Sequence, residues 1–213
     1  MSEQSAKTQW SIEWWKGRHD RTYFPVMKQH KNWAIYEEMR PWFLENARPT
    51  KEDTALEIGC GYGEWMIPLS RLVKTVDGFD IHELLVRKAE EKFKEYGVDN
   101  ATMVLGNGFD IPYPDNRFSL VYSISVFQHM PRDTVVRYME ETVRVLQPKG
   151  RFFHYFRFAN GIGPYSDDIE VEHTGDFSVG WTEEEVKELA RPHPVSFHIE
   201  NMGDVVLLLG AKE

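Results

Sequence analysis

The spacing of apolar positions changes repeatedly along this chain. Residues 54–58 (Thr-Ala-Leu-Glu-Ile) form a short apolar run that fits one buried strand. Glycines at 59, 61 and 63 break the run, and residues 64–73 carry apolar positions at helical spacing. Residues 75–80 then fit a strand. Residues 82–96 fit a helix with Leu84, Leu85, Ala89 and Phe93 on one face, ended by Gly97. A third strand over 101–105 runs into a loop, 106–117, that holds two prolines. Residues 118–123 fit a fourth strand, and 132–146 a helix with Val135, Met139, Val143 and Leu146 inward. A Pro148-Lys149-Gly150 turn then leads to a fifth strand over 151–157. Alternation of this length predicts parallel strand–helix–strand units and an α/β fold with a doubly wound sheet.

The rhythm stops after Phe158. Residues 159–180 hold Gly161, Gly163, Gly175 and Gly180 and an acidic run (Asp167, Asp168, Glu170, Glu172), which reads as an inserted loop. The run is either a solvated surface or a preference for a cationic acceptor. Thr182 and Glu185 form a capping-box pair for a helix reaching about residue 191. Residues 195–200 and 204–211 read as an antiparallel hairpin around Asn201-Met202-Gly203. The first 50 residues are aromatic-rich (Trp10, Trp14, Trp15, Tyr23, Phe24, Trp33, Tyr36, Trp42, Phe43), with a helix over 31–46 that Pro41 kinks or divides. They are either a helical extension packed on the domain or a lid whose Arg18, His19 and Tyr23 line a pocket. The expected organisation is one domain, 1–213. It comprises the N-terminal extension (1–50), a ligand-binding core (54–158), the inserted loop (159–180) and a C-terminal helix and hairpin (181–213).

Charge and composition narrow the partners. A net charge of −9 without a lysine or arginine cluster weighs against nucleic acid. The apolar run at 205–209 is too short to cross a bilayer, and the polar residues 1–9 lack the apolar stretch of a signal peptide. Cys60 is the single cysteine and fits a reducing, cytoplasmic compartment. His173 beside the acidic run has no partner at ligand spacing, so no metal site is expected.

The chemistry lies in the glycine stretch. A strand passing through glycines into a helix presents backbone N–H groups to an anionic or zwitterionic ligand. A dinucleotide fingerprint needs glycine at the sixth position, where this chain has Glu64; the Gly-Lys-Ser/Thr of a P-loop is also missing. Asp80, about twenty residues on, ends the second strand where a carboxylate can accept from both ribose hydroxyls.

The stretches Glu57-Ile-Gly-Cys-Gly-Tyr-Gly63, Asp80, Gly106-Asn-Gly-Phe-Asp-Ile-Pro112 and Phe118-Ser-Leu-Val-Tyr-Ser-Ile-Ser-Val-Phe-Gln-His-Met-Pro131 resemble the class I S-adenosylmethionine-dependent methyltransferases, closest to the small-molecule group with a "methyltransferase type 11" core. The resemblance covers 54–158 well and leaves 1–50 and 159–180 unmatched. It implies a Rossmann-like, seven-stranded, mostly parallel sheet with an antiparallel C-terminal hairpin. It also implies S-adenosyl-L-methionine as cofactor. Gly59, Gly61 and Gly63 would admit its methionine part, with Cys60 a small filler and Glu57 near the amino group. Asp80 would hold the ribose and Ile81 pack on the adenine. Asn107, Gly108 and Phe109 would border the adenine, and Ser123 would face the methionine amino end. Two positions depart from the family: Asn107 replaces an Asp, its oxygen still able to accept from the adenine amino group, and Ser119 replaces an Asp at a structural position.

Several subclasses are excluded. The Asn/Asp-Pro-Pro-Tyr of base-amino enzymes, a second cysteine, a magnesium-binding carboxylate set and a double-glutamate hairpin are all missing. What remains is metal-independent transfer to an oxygen or nitrogen of a small-molecule acceptor. His129 is the candidate general base, since its ordinary pKa suits proton removal near neutral pH; the alternative is a structural role. His154 and Arg157, ending the fifth strand, either face the acceptor or sit on the outer edge. Arg18, His19 and Tyr23 would cover the cofactor or bind an anionic acceptor. The rival readings are a protein or saccharide-chain methyltransferase, and a non-catalytic cofactor-binding regulatory protein.

Overall fold

The computed structural model describes residues 41–159 and 179–213, together with Gln9, Ile12, Glu13 and Lys16. Seven strands form one sheet: β1 (Thr54–Ile58), β2 (Thr75–Asp80), β3 (Ala101–Leu105), β4 (Phe118–Ser123), β5 (Leu146–Arg157), β6 (Val195–Asn201) and β7 (Val205–Lys212). Their order is β3-β2-β1-β4-β5-β7-β6. The first five run parallel, and β7 lies antiparallel to both β5 and β6. The doubly wound sheet and the antiparallel hairpin are as expected. Gly203, with φ +89°, makes the hairpin turn and donates its N–H to Asn201 Oδ1 at 2.9 Å. The strand order switches from one side of β1 to the other between β3 and β4, so a crevice opens at the carboxyl ends of β1 and β4, where open α/β sheets bind ligands.

Within residues 41–159 and 179–213 five α-helices accompany the sheet: α1 (Pro41–Ala47), α2 (Met66–Ser70), α3 (Glu83–Glu95), α4 (Arg132–Val145) and α5 (Glu183–Ala190). Adjacent residues of a strand point to opposite faces. Leu56 and Ile58 therefore join the core under α4 and α5, with Val135, Met139 and Val186, while Ala55 joins the core under α1, α2 and α3, with Phe43, Leu69 and Ala89. Pro41 opens the described part of α1, and the rest of the helix expected over 31–46 lies outside the described residues. Trp42 and Phe43 pack on Trp65, Tyr122 and Phe153 at ring separations of 5.1–5.8 Å, so these two aromatics belong to the core. The other N-terminal aromatics and most of 159–180 lie outside the described residues.

Two elements differ from expectation. The helix after the glycines spans five residues instead of ten-odd, because Glu64 and Trp65 remain in the turn and its far end tightens: Leu72 N–H reaches Leu69 O at 2.8 Å. β5 starts at Leu146, not 151. Pro148–Gly150 is an irregularity within the strand, where the register with β4 shifts between Phe118 and Leu120 and Lys149 takes φ +64°.

The amino ends of the strands are tied by polar side chains. Asp53 accepts from Arg151 (2.6 Å) and from Ser119 Oγ (2.7 Å), and Ser119 Oγ accepts from Thr54 N at 3.0 Å. Ser119 thus ties the strand ends, in keeping with the structural position that the resemblance implies. The carboxyl ends hold the chemistry.

Candidate functional site

The loop after β1 turns back on itself through left-handed glycines. At Gly59 (φ +65°) a Cβ would come within 2.7 Å of Val126, and at Gly63 (φ +74°) within 2.7 Å of Phe93. Neither position accommodates a side chain. Gly59 and Cys60 both donate their N–H to Phe79 O, at 3.0 and 3.2 Å. Cys60 Sγ is buried 3.1 Å from Met103 Sδ, which fits a filler and no nucleophile. Asp80 clamps the loop to the end of β2: Oδ2 accepts from Gly61 N and Oδ1 from His82 N, each at 3.0 Å.

Three carboxyl groups converge on this loop. Glu57 is buried and accepts from Tyr122 Oη at 2.9 Å; burial holds its pKa well above the carboxylate range, against that hydrogen bond, and the charges of Glu64 and Asp80 add to the rise. Glu64, six residues past the strand, is pushed up to about 7, mainly by burial and further by Asp80, against backbone hydrogen bonds. Burial also raises Asp80 above its ordinary value. Among the described residues no lysine or arginine ion-pairs with any of the three. A ligand that brings a cation to such a cluster is favoured there.

Beside β2 and β3 the expected base-binding residues gather. Ile81, half-buried, follows Asp80, and Gly108 (φ +84°) lies within reach of Ile81 Cγ2. Asn107 behaves differently from expectation. Its Oδ1 already accepts from Phe109 N (2.8 Å) and Asp110 N (2.9 Å), so the oxygen shapes its own turn instead of standing open to a ligand amino group. Phe109 O in turn accepts from Arg137 Nε at 2.9 Å.

The family described as "Methyltransferase domain" matches residues 55–150, the part of the chain that holds this loop and both carboxylate-bearing strand ends. Residues 55–150 form a methyltransferase domain of the class I S-adenosylmethionine-dependent kind. Among curated proteins it is similar to the demethylmenaquinone methyltransferase of Anoxybacillus flavithermus, 27% identical over 76% of this chain and 71% of the relative. Among solved structures, a SAM-dependent methyltransferase of Methanosarcina mazei matches with TM-score 0.68 and 19% identity, over 82% of this chain and 98% of that one. Phosphoethanolamine N-methyltransferase 1 of Haemonchus contortus matches with TM-score 0.75 and 12% identity, over 98% of this chain and 50% of that one. Those two likenesses show the fold.

On the other side of the methyltransferase crevice, past β4, Val126 covers Gly59 and opens a 3₁₀ turn, Phe127–His129. His129 is half-buried there, with Nε2 3.2 Å from the side-chain nitrogen of Gln128. The segment Val179–Trp181 closes over this turn: Val179 N–H donates to Gln128 O at 2.6 Å, and Trp181 N–H to Arg157 O at 2.8 Å. Arg132 lies over the Trp181 ring (4.7 Å) and pairs with Glu185 at 3.1 Å. Two buried polar atoms here, Gln128 Oε1 and Trp181 Nε1, have no hydrogen-bond partner.

His154 requires a correction. It is fully buried between Phe127 and Phe152, with Nδ1 3.1 Å from Ser123 Oγ and Nε2 3.2 Å from Thr142 Oγ1. Thr142 donates its own proton to Tyr138 O, so it accepts from His154 Nε2–H, and Nδ1 accepts from Ser123. Desolvation lowers the His154 pKa to about 3, so the ring is a neutral core group and touches no acceptor. The same bond turns the Ser123 side chain away from the crevice and leaves only its backbone to face a ligand. Arg157 is exposed at the end of β5, and its carbonyl accepts from Trp181 N–H at 2.8 Å. Arg18, His19 and Tyr23 lie outside the described residues. Glu64, Gln128 and Trp181 were not among the expected site residues. Glu64 stands next to the last loop glycine, a visible signal; Trp181 reaches Arg132 across about fifty intervening residues and left none.

Proposed function

We propose that this methyltransferase binds S-adenosyl-L-methionine along the glycine loop and transfers its methyl group to an oxygen or nitrogen of a small-molecule acceptor held against the Phe127–His129 turn. The observation that carries the reading is the set of Glu57, Glu64 and Asp80 around a loop that admits no side chain at Gly59 or Gly63. When bound, the cofactor supplies a methyl carbon on a cationic sulfur, open to in-line displacement. Asp80, fixed by two backbone N–H groups, keeps lone pairs for the ribose hydroxyls. Glu57 and Glu64 oppose the ligand's positive groups, and its arrival draws their pKa values down. The acceptor's lone pair forms the new bond as the carbon–sulfur pair returns to sulfur, and His129 takes the acceptor's proton. Val126 and Trp181, packed over the loop and the turn, exclude water from that side.

The name of the curated relative points to a second reading, demethylmenaquinone, whose missing methyl belongs on a ring carbon, so transfer to it would replace the oxygen-or-nitrogen reading by a carbon acceptor. Labelled methyl transfer to that compound, beside a panel of phenols and amines, tests the acceptor class. Transfer to none of them, with S-adenosylhomocysteine still binding, leaves the cofactor-binding regulatory reading in place. His129→Ala should lower turnover by about 10²–10⁴ with cofactor affinity unchanged; a loss below about threefold, well short of general-base magnitudes, makes His129 structural.

A further inference from the structure

The described part of the N-terminal segment touches this site directly. Gln9, Ile12, Glu13 and Lys16 have helical backbone, and Gln9 Nε2 donates to Glu13 Oε1 at 2.9 Å on its outer side. Ile12 is 6% exposed, although it lies more than forty positions before β1. Its Cγ1 and Cδ1 fill the space that a Cβ on Gly108 would need, and Ile81 Cγ2 bounds the same space at 3.6 Å. Four residues on, Lys16 O lies 3.1 Å from His82 Nε2. His82 Nδ1 accepts from Leu84 N at 3.2 Å, so Nε2 carries the proton and donates to Lys16 O. The backbone N–H of that same histidine holds Asp80 Oδ1. One residue therefore joins the ribose carboxylate to the N-terminal helix.

We propose that Ile12 is a cofactor-contacting residue: it roofs the cleft beside Gly108 and Ile81 and, with Ile81, forms an apolar slot that selects a flat, uncharged purine base. The proposal rests on the cofactor reading above and extends it to a segment that the matched methyltransferase region, 55–150, leaves out. Three features support it. The side chain is apolar, as the face of a base requires. It meets a glycine that has no side chain of its own to cover that face. Lys16, four positions after Ile12, is tied through its carbonyl to His82, on the loop that ends β2 beside the slot. Ile12 acts by covering surface, so its contribution scales with the area it removes from water.

The test is calorimetric titration of the full-length chain, unchanged and with Ile12→Val or Ile12→Ala, using S-adenosylhomocysteine and 5′-methylthioadenosine. The second compound keeps the base and ribose and lacks the amino-acid end. The expected result is a graded loss, about twofold to threefold for Val and about tenfold for Ala, of equal factor for both ligands because both present the same base. Melting curves without ligand accompany each titration. Unchanged affinities in both variants, with or without a lower melting temperature, overturn the proposal and leave Ile12 as packing. Tighter binding in Ile12→Ala also overturns it, because the residue would then occupy the base's place. Binding by the unchanged chain is measured first. If neither ligand binds there, the cofactor reading itself fails, whereas binding by the unchanged chain with indifferent variants refutes the roof alone.

Discussion

Glu64→Gln should stabilise the ligand-free protein, and chiefly at high pH. In the fold Glu64 has a pKa of about 7, against an ordinary value of 4.5. Between those two values the folded protein keeps a proton that the unfolded chain has released. Stability from this group is therefore complete below pH 4.5 and is lost as pH rises through 7. At about 1.4 kcal/mol per tenfold change in proton affinity, the loss reaches roughly 3 kcal/mol by pH 8 and stays below about 1 kcal/mol at pH 5. Glutamine removes the charge and keeps an acceptor for the backbone hydrogen bonds that the carboxylate receives. For a chain of this length about 1 kcal/mol moves the melting temperature by roughly 2–4 °C. The expected gain is then about 6–12 °C at pH 8 and at most about 4 °C at pH 5. Differential scanning calorimetry without ligand reads both values. The same substitution should shrink the thermal shift given by S-adenosylmethionine at pH 8, since a counter-charge for the ligand has gone. A destabilised variant at pH 8, or equal gains at the two pH values, refutes the view of Glu64 as a strained, cation-awaiting carboxyl.

Other consequences can be measured independently. Asp80→Asn removes the charged acceptor from the end of β2 and should weaken S-adenosylhomocysteine binding by about 1.5–3 kcal/mol, read by titration calorimetry; unchanged affinity would place the ribose elsewhere. His154 has the opposite sign to Glu64. Its folded pKa of about 3 lies below the ordinary 6.5, so its stabilisation is present above pH 6.5 and is lost as pH falls towards 3. Urea unfolding should show the unchanged chain losing about 2 kcal/mol more than His154→Gln between pH 7 and pH 5, and parallel losses would contradict the neutral core histidine. Gly63→Ala meets Phe93 at 2.7 Å as well as an unfavourable φ, whereas Gly97→Ala, at φ +65°, meets nothing within 4 Å. Each pays about 1–2 kcal/mol for the left-handed backbone, and Gly63→Ala should lose a further 1–3 kcal/mol or so from overpacking; equal denaturant midpoints would show that the loop yields freely.

The glycine loop was legible because three glycines after a short apolar run leave few alternatives, and Asp80 marks the end of the next strand. Sequence spacing does not carry the side-chain commitments made once the sheet forms. β5 is buried on both faces, with Phe152, Phe153 and His154 all inside, so strand parity could not tell an acceptor-facing histidine from a core one. Asn107 was different: Asn-Gly is a turn signal, and an asparagine that bonds the backbone two and three residues on has no oxygen left to recognise a ligand. The contact between Trp181 and Arg132 depends on a segment crossing the ends of β4 and β5, which no local pattern encodes.

The carboxyl cluster joins these strands of reasoning. Glu57 comes from β1, Asp80 from β2 and Glu64 from the turn between the glycines and α2, so the sheet and loop must both form before the charges meet. An unliganded protein would be more stable without at least one of them, as Glu64→Gln tests. Keeping all three is intelligible if the working state contains a cation at the loop. The reaction cancels that cation, because methyl transfer turns a positive sulfur into a neutral thioether. The cluster should then hold S-adenosylmethionine more tightly than S-adenosylhomocysteine at pH 8, and the preference should narrow as Glu64 takes up its proton below pH 7. Paired titrations of the two compounds at pH 6 and pH 8 measure it. A preference that is constant across that range would detach Glu64 from the sulfur and leave it with the ligand's amino group, which both compounds share.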